Sequence, residues 1–491
     1  MRQRAGAPLL LLLALLVPDC GEEEKPDRGG PPGPSPSTSK AVHKSSVVPV
    51  PEVTPPTPPQ PPGTPKEFTI ELPAEKRPFP EPLPEGKEPG FRLRGIKGWA
   101  WTPEQYLAEI PILAKCKMNF LMNCYLSLFD VLPGNGNPPG GNRWWVPLQG
   151  AKREGFEEIV RACKRYGIQF CFAMHPMYKS PRPLKYDSEK DINDLWDQYA
   201  WMQGLGVRWF SICLDDINES VEARGQSKVV NEILRRLRAK DPQAQMIFCP
   251  TQYFGDGSRN PEYLKTLAEE LHPDVYVFWT GEHIWAPVIT RACAERFRDT
   301  VKRRLVVWDN YPANDAEPVL HLGPITGRDP DLCQAAEGYM SNSHCTQSEI
   351  NRIPMLTCAD YAYNPAAYDP KRSVGQALLQ LAETPGQRQV LKDLVELYPG
   401  RYLLPSGRRH CRSLVINRFV AALDEPDGQD EAQAILRRVQ DVAARLKTEF
   451  PGRYQATSKT IELHLSLMQE YLDRQTGRVP KDRPIPGWPI W

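Results

Sequence analysis

The stretch Val207-Arg208-Trp209-Phe210-Ser211-Ile212-Cys213-Leu214-Asp215-Asp216 decides the fold of this 491-residue chain. Its first eight residues are almost continuously apolar or aromatic, and they are too few for a convincing helix, so they predict a buried strand. The strand ends in two adjacent carboxylates, which are costly to bury without partners. Asp215 and Asp216 therefore either cap the next helix or form part of a functional site, and the rest of the chain must distinguish the two.

Strands and helices alternate on both sides of this stretch. We predict further strands at 91–97, 118–124, 168–174, 246–249, 274–279 and 305–308, and an eighth at Pro354–Thr357. Thr102-Pro103-Glu104-Gln105 has the pattern of a helix start with a capping box, and Pro111 should kink or shorten that helix. Roughly eight such alternations predict a (β/α)8 barrel. A doubly wound sheet is the alternative, but no Gly-rich dinucleotide motif follows the first strand.

Composition divides the chain into four regions. Residues 1–20 form a predicted signal peptide, because two arginines precede an apolar run that is too short to span a bilayer. Residues 21–90 are rich in proline and predict a disordered, extended linker. The barrel should occupy 91–375, and apolar residues at helical spacing predict a helical domain over 376–491.

The N-terminal region predicts export to the periplasm or the cell surface. Cys20 follows the apolar run directly and precedes polar residues, as in a bacterial lipoprotein signal. Asp19 stands where that signal requires a small residue, so lipid attachment at Cys20 and an ordinary cleaved signal both remain open. A lipid at Cys20 is the only membrane contact that we predict.

Charge and cysteine usage exclude several classes of function. The chain has 61 basic and 60 acidic residues, a balance that does not favour nucleic acid or an anionic membrane as a partner. Its twelve cysteines include no CxxC pair, and Cys171, Cys213 and Cys249 fall inside predicted strands. We therefore expect buried free thiols, no metal site and no cofactor. Oligomeric state is not encoded in any pattern that we recognise.

The residues that follow the predicted strands are mostly carboxylates, amides and aromatics. In a barrel of this type the active site is built at the carboxyl ends of the strands. Lysine, cysteine and Gly-rich phosphate cradles are scarce at these positions. This set of side chains suits a neutral ligand with many hydroxyl groups, such as a sugar.

Five short motifs, in this order, resemble the catalytic domain of the β-N-acetylglucosaminidases of glycoside hydrolase family 84, which includes the O-GlcNAc hydrolases. They are Cys213-Leu214-Asp215-Asp216-Ile217, Cys249-Pro250-Thr251-Gln252-Tyr253, Trp279-Thr280-Gly281, Trp308-Asp309-Asn310 with Asn314-Asp315, and Gly323-Pro324 with Gly327-Arg328. The resemblance covers about residues 91 to 375 and identifies the chain as a divergent bacterial member.

The resemblance implies a retaining mechanism in which the substrate's own 2-acetamido oxygen attacks the anomeric carbon and forms an oxazoline. It implies that Asp215 orients the acetamido N–H and that Asp216 is the general acid and then the general base. It also implies substrate-binding roles for five further residues. Gly95 would offer its backbone, Tyr253 would bond near the acetamido oxygen, Asn310 would bond the acetamido group or the acid, Asp315 would hold the 4- and 6-hydroxyls, and Asn342 would hold another hydroxyl.

The chain departs from the family pattern around the sugar hydroxyls. The family usually has a lysine after the second strand, where this chain has Tyr125-Leu126-Ser127-Leu128. Lys97, in the first-strand motif, could supply the missing charge. The aromatic residue that usually follows the Asn-Asp pair is Ala316 here. These differences concern the identity of the sugar more than the type of reaction.

Simpler interpretations stand beside these roles. Trp279 and Trp308 are more often barrel core than sugar platforms, and His175 is expected to be a structural histidine. The leading hypothesis is an exported hydrolase of terminal β-linked N-acetylglucosamine or a related sugar. The alternatives are a catalytically weak barrel that binds amino sugars at the cell surface, and a glycosidase for a modified amino sugar.

Overall fold

The computed structural model describes residues 68–129, 141–217, 222–314, 320–345, 347–400 and 414–480. The predicted signal peptide with Cys20, most of the predicted linker, Asp315 and Ala316 lie outside the described residues. Within these ranges, no helix combines the length and the apolar composition needed to cross a bilayer.

Eight parallel strands close into a barrel in sequence order, with the last strand pairing with the first. The predicted (β/α)8 fold is therefore confirmed, together with its C-terminal helices. The strands are β1 (Leu93–Gly98), β2 (Phe120–Asn123), β3 (Gln169–Met174), β4 (Trp209–Cys213), β5 (Gln245–Cys249), β6 (Tyr276–Trp279), β7 (Leu305–Pro312) and β8 (Gly338–Asn342).

Alternation along the strands separates two hydrophobic cores. In β4, Trp209 and Cys213 face the barrel interior, whereas Phe210 and Ile212 pack in the cluster that the surrounding helices share. The same alternation applies to the other strands, because successive side chains of a strand point to opposite faces. Both faces of the sheet are therefore buried, which explains why the deciding stretch is apolar almost throughout.

The helices surround the barrel and continue beyond it. They are α1 (Pro103–Lys115), α2 (Leu126–Phe129), α3 (Gly150–Arg165), α4 (Glu189–Gly204), α5 (Ala223–Lys240), α6 (Pro261–Glu270), α7 (Arg291–Val301), α8 (Arg352–Tyr363), α9 (Pro370–Leu381), α10 (Pro385–Leu397), α11 (Leu414–Asp424), α12 (Gln429–Glu449) and α13 (Gln455–Gln475). The predicted capping box is present at Thr102 and Gln105. Helix α1 runs through Pro111 for four more residues, so the proline does not end it.

The eighth strand was predicted in the wrong place. Pro354–Thr357 lies inside α8, and the strand that closes the barrel is β8, whose sequence is Gly-Tyr-Met-Ser-Asn. Glycine, serine and asparagine have poor strand propensity, so this segment resembled a loop. Its pairing with β7 and β1 overrides that propensity. Asn342 therefore lies at the end of the strand that closes the barrel.

The boundaries of the folded region differ from the predicted ones. The last residues of the predicted linker, from 68 onward, contact the helices: the backbone N–H of Ile70 donates to Glu396 (2.9 Å), and the side chain of Gln376 donates to the carbonyl of Glu75 (3.0 Å). The predicted boundary at 375/376 falls inside α9. A separate apolar cluster joins α9 to α13 and includes Ile70 and Leu322, so the helical domain packs on the barrel.

Candidate active site

The carboxyl ends of the strands surround one pocket of about 580 Å³, which includes its open mouth. Its lining contains residues that lie at or closely follow the carboxyl ends of seven strands. They are Lys97, Trp99, Tyr125, Asp215, Asp216, Cys249, Tyr253, Thr280, Ile284, Trp285, Trp308, Asn310 and Asn342. Five of the predicted site residues therefore line one pocket: Asp215, Asp216, Tyr253, Asn310 and Asn342.

The two aspartates face the same pocket because the strand ends before them. Strand β4 stops at Cys213, and Asp216 adopts a left-handed backbone conformation with φ of 52°. Neighbouring residues on a regular strand would point to opposite faces, whereas this turn lets both carboxylates line one cavity. A non-glycine residue in this conformation is uncommon, and such residues cluster at functional sites.

Neighbouring strands hold the turn in place. The N–H of Leu214 donates to the carbonyl of Cys249 in β5 (2.8 Å), and the hydroxyl of Thr251 donates to the carbonyl of Leu214 (2.9 Å). Gln226, on α5, donates to the same hydroxyl (2.9 Å). The backbone beneath the two aspartates is therefore fixed by three elements.

Asp215 is buried and held from two sides. Its exposed fraction is 6 %, and the hydroxyl of Tyr125 donates to Oδ2 (3.0 Å). Burial, together with the Asp215 carboxylate, raises the pKa of Tyr125 well above its ordinary value, so the hydroxyl stays a donor. Oδ1 of Asp215 accepts no hydrogen bond from the described residues. One carboxylate oxygen is thus fixed and the other is available to a ligand.

His175 positions the backbone of Asp215. Its Nδ1 accepts from the N–H of Tyr178 (2.9 Å), so the proton resides on Nε2, which donates to the carbonyl of Asp215 (2.7 Å). Burial lowers the pKa of His175 and favours this neutral form. Its surroundings match the predicted structural histidine, and its hydrogen bonds add a positioning role for Asp215.

Asp216 is exposed at the pocket mouth, in contrast to Asp215. The hydroxyl of Tyr253 donates to its Oδ1 (2.8 Å). Burial and the nearby Asp216 carboxylate raise the pKa of Tyr253 well above its ordinary value, so Tyr253 also stays protonated. We call Tyr125, Asp215, Asp216 and Tyr253 the acidic wall.

The opposite side of the pocket is built on β7, β8 and β1. Oδ1 of Asn310 accepts from Trp308 Nε1 (3.0 Å) and from Asn342 Nδ2 (2.8 Å), and its Nδ2 donates to the carbonyl of Ile284 (2.8 Å). These bonds fix both amide orientations. Oδ1 of Asn342 is buried and has no partner among the described residues, so it is available as an acceptor.

Lys97 and Trp99, from β1 and the turn after it, complete this side. The exposed fraction of Lys97 is 1 %, and its Nζ lies 3.9 Å from the ring centroid of Trp99 and 4.2 Å from that of Trp308. We call Lys97, Trp99, Trp308, Asn310 and Asn342 the amide wall. Each of these residues lies in the carboxyl-terminal part of a strand or directly after it.

Two other predicted residues have different surroundings. Gly95 does not line the pocket; it pairs with Phe120 in β2, and a Cβ there would lie 2.1 Å from the carbonyl oxygen of Phe120. Its lack of a side chain is thus required by strand packing. Trp279 packs against the helices, as expected for core, whereas Trp308 lines the pocket.

Sequence reasoning did not assign Tyr125 or Trp99 to the site. Tyr125 comes directly after β2, so the strand-end rule could have found it. Trp99 follows a strand in the same way. Among the described residues, no group of three or more His, Cys, Asp or Glu side chains is placed to hold a metal ion. The chemistry available in the pocket is that of carboxylates, phenols, amides and one ammonium group.

A family model described as beta-N-acetylglucosaminidase matches residues 95–396, which is more than half of the chain. The chain belongs to this family of glycoside hydrolases. The matched segment contains both walls of the pocket and all of the barrel except the first two residues of β1. The resemblance stated from the five motifs is therefore confirmed.

Individual relatives agree with this assignment. The chain is similar to protein O-GlcNAcase of Mus musculus and of Rattus norvegicus, at 29 % identity over 219 residues in each case. These matches cover 41 % of this chain and 23 % of the relatives, so the chain spans only a part of their length.

Two solved structures share the fold. The protein called CpGH84B superposes with a TM-score of 0.63 at 23 % identity, over 79 % of this chain and 68 % of that one. A mutant of the Thermobaculum terrenum O-GlcNAc hydrolase also gives 0.63, at 22 % identity, over 80 % of this chain and 86 % of that one. At these identities the likeness concerns the architecture of barrel and helices.

Proposed function

We propose that this protein is a retaining β-N-acetylglucosaminidase that removes terminal β-linked N-acetylglucosamine, or a related 2-acetamido sugar, through an oxazoline intermediate. The observation that carries the proposal is the pair Asp215 and Asp216, which face one pocket from adjacent positions but have different surroundings. Family membership supports the class of reaction.

Asp215 is suited to orient the acetamido group. Tyr125 and His175 fix it, and its Oδ1 has no hydrogen-bond partner among the described residues. An acetamido N–H that donates to this oxygen would gain electron density on its carbonyl oxygen, which is the attacking atom. Holding that oxygen close to the anomeric carbon replaces a bimolecular attack by an intramolecular one.

Asp216 is suited to proton transfer. It lies at the mouth, where a leaving group departs and water enters, and Tyr253 holds one of its oxygens. It would first protonate the glycosidic oxygen and later remove a proton from the water that opens the oxazoline. Tyr253 lies beside it, and the family resemblance implies that its hydroxyl, which here donates to Asp216, bonds near the acetamido oxygen as the ring forms.

The placement of the two aspartates argues against a nucleophile on the enzyme. In other retaining glycosidases two carboxyl groups flank the scissile bond, with one attacking and the other protonating. Here both side chains come from one turn of chain on the same wall of the pocket. A substrate that brings its own nucleophile needs only one proton-transfer group and one orienting group.

The amide wall would hold the sugar hydroxyls. Asn342 offers a carbonyl oxygen without a partner among the described residues, and Asn310 is fixed between Trp308 and Asn342. Asp315, which lies outside the described residues, is proposed on the family resemblance to bond the 4- and 6-hydroxyls.

Hydrolysis of an aryl β-N-acetylglucosaminide tests the proposal. The full chain should release the phenol with retention of configuration, and Asp215→Asn and Asp216→Asn should both be strongly impaired. If no 2-acetamido aryl glycoside is turned over while N-acetylglucosamine still binds, the protein is instead an amino-sugar-binding barrel.

We also propose export, on the pattern of residues 1–20. Expression of the full chain in a bacterial host, followed by fractionation, should place it in the envelope. Mass analysis of the N-terminus should distinguish a lipid at Cys20 from an ordinary cleaved signal. Recovery of the intact chain in the cytosol would contradict export.

A further inference from the structure

Lys97 is a buried cation at the mouth of the barrel. It lies in β1, where its backbone pairs with Asn342 of β8 on one side and Met122 of β2 on the other. Its exposed fraction is 1 %, and it lines the pocket together with both aspartates. A lysine is rarely buried so completely unless it has a partner.

No described residue supplies that partner. Nζ lies over three aromatic rings, 3.9 Å from Trp99, 4.2 Å from Trp308 and 5.2 Å from Tyr125. Among the described residues it makes neither a hydrogen bond nor an ion pair within 4 Å. Contacts with ring faces offset part of the cost of burial, but they leave all three N–H donors of the ammonium unused.

Two further polar atoms of the amide wall also lack a hydrogen-bond partner among the described residues. Trp99 Nε1 and Asn342 Oδ1 are buried without a hydrogen-bond partner among the described residues. Buried polar groups in native proteins are nearly always satisfied. A cluster of unused donors and an unused acceptor in one pocket points to a ligand that carries both, such as the hydroxyl groups of a sugar.

The order of residues around the barrel assigns a position on the sugar. Tyr125 stands next to Lys97 on one side and is hydrogen-bonded to Asp215, which orients the acetamido group on C2 in the mechanism proposed above. Asn342 is the neighbour on the other side. Between the C2 substituent and the far edge of the ring lies C3.

We propose that Lys97 donates a hydrogen bond from Nζ to the 3-hydroxyl of the amino sugar and is a specificity-determining residue of this enzyme. The proposal rests on the proposed function for the orientation of the sugar. The ammonium thus takes the place, from β1, of the lysine that the resemblance leads one to expect after β2. The rings of Trp99 and Trp308 flank the ammonium in the lining of the pocket.

The test compares substrates and variants in pairs. Aryl β-N-acetylglucosaminide and its 3-deoxy and 4-deoxy analogues are hydrolysed by the wild type, Lys97→Met and Lys97→Arg. Lys190→Met, on the exposed surface of α4, serves as the control and should match the wild type. Circular dichroism and thermal unfolding establish that each variant is folded.

We expect Lys97→Met to lower kcat/KM for the parent sugar by about 10- to 100-fold, the worth of a hydrogen bond from a charged donor. With the wild type, kcat/KM for the 3-deoxy analogue should be lower than for the parent sugar by a similar factor. Lys97→Met should then lower kcat/KM for the 3-deoxy analogue by less than a further twofold. Lys97→Arg should recover part of the loss. Equal losses for parent and 3-deoxy sugars, or coupling to the 4-deoxy analogue instead, would overturn the proposal.

Failure of the proposed function would look different. In that case the wild type turns over none of these glycosides, and calorimetry then measures binding of N-acetylglucosamine and its 3-deoxy form. If Lys97→Met does not fold, the same comparison of parent and 3-deoxy sugars is made between the wild type and Lys97→Arg. A wild type that does not distinguish the 3-deoxy sugar from the parent excludes the contact.

Discussion

The two walls of the pocket are built on different principles. On the acidic wall each carboxylate already has a phenol partner, Tyr125 for Asp215 and Tyr253 for Asp216. On the amide wall Trp99 and Asn342 keep buried polar atoms that the described residues leave without a hydrogen-bond partner, and Lys97 Nζ lies over aromatic rings. The acidic wall is therefore organised before a ligand arrives, as electrostatic catalysis requires. The amide wall is organised only in part: Trp308 and Asn342 fix Asn310, but more of its buried polar atoms lack a partner among the described residues than on the acidic wall, where Asp215 Oδ1 is the one such atom.

The difference teaches where the chain is free to diverge. Both walls carry residues that match the family resemblance, Asp215, Asp216 and Tyr253 on the acidic wall and Asn310 and Asn342 on the amide wall. The departures stand between the reacting groups and these amides: Lys97 on the amide wall, and Tyr125 in the stretch after β2 that lacks the lysine. A change on the amide wall alters which sugar is held, while the reacting groups stay in place. We therefore expect the two walls to respond differently to substitution.

The largest effect on rate should come from Asp216→Asn on the acidic wall. Loss of the proton donor should lower kcat/KM by about 10²- to 10⁴-fold for alkyl or weakly acidic phenol leaving groups. The loss should be much smaller for a dinitrophenyl leaving group, which departs without protonation. A uniform loss across leaving groups would contradict the role, and Asp299→Asn, on the exposed end of α7, is the matched control.

The largest effect on stability should come from Asp309, which lies next to Asn310 but outside the pocket. It forms a fully buried ion pair with Arg328 (2.7 Å) and accepts from Tyr339 (2.6 Å). Asp309→Asn leaves a buried arginine unpaired and should lower the free energy of unfolding by about 3–5 kcal/mol.

Chemical denaturation measures this effect. Asp331→Asn removes an exposed partner of Arg291 and should cost at most about 1 kcal/mol. Similar losses for the two variants would show that burial of the Asp309 pair has no special weight. Asp216→Asn should leave the free energy of unfolding nearly unchanged. The comparison with Asp309→Asn then distinguishes a carboxylate that acts in catalysis from one that stabilises the fold.

The phenols of the acidic wall should have intermediate effects on rate. Tyr125→Phe and Tyr253→Phe each remove one hydrogen bond to a carboxylate, worth about 1.5–3 kcal/mol, or at least tenfold in kcat/KM. Because burial and the carboxylates raise the pKa of both tyrosines, the effects should persist at alkaline pH. A variant as active as the wild type at every pH would show that its phenol does not organise the wall.

The smallest effect should be on the pH dependence of stability through His175. Burial lowers its pKa in the folded state, so the unfolded chain binds the proton at higher pH. Stability should therefore fall as the pH drops below about 6.5, by up to about 1.4 kcal/mol per pH unit from this group. His175→Gln should show a shallower fall between pH 7 and 5.5 in denaturant unfolding. Parallel curves would exclude this contribution.

Much of the barrel could be predicted from the sequence because most of its strands are short, largely apolar runs. The stretch ending at Asp216 is typical: both faces of its strand are buried, so its pattern is unmistakable. Strand β8 could not be found in this way, since its residues favour loops and only closure of the barrel against β7 and β1 makes it a strand. That constraint is not local, and no window of sequence contains it.

The site, like the barrel, has features that the sequence predicts and features that it does not. Asp215, Asp216 and Tyr253 follow strands, and the rule that sites lie at the carboxyl ends predicts them together. The left-handed turn at Asp216 could not be predicted, although it is what brings both aspartates to one pocket. The burial of Lys97 between aromatic rings could not be predicted from the sequence either, because the rings come from the ends of three different strands.

The most direct test of the central claim, that the substrate supplies the nucleophile, is a series of aryl glucosaminides whose N-acetyl group carries zero to three fluorines. Fluorine withdraws electrons from the acetamido oxygen without altering the leaving group. We predict that kcat/KM falls steeply, by orders of magnitude in total, with each added fluorine. A rate independent of fluorination, or an aryl β-glucoside cleaved as fast as the acetamido sugar, would contradict the mechanism.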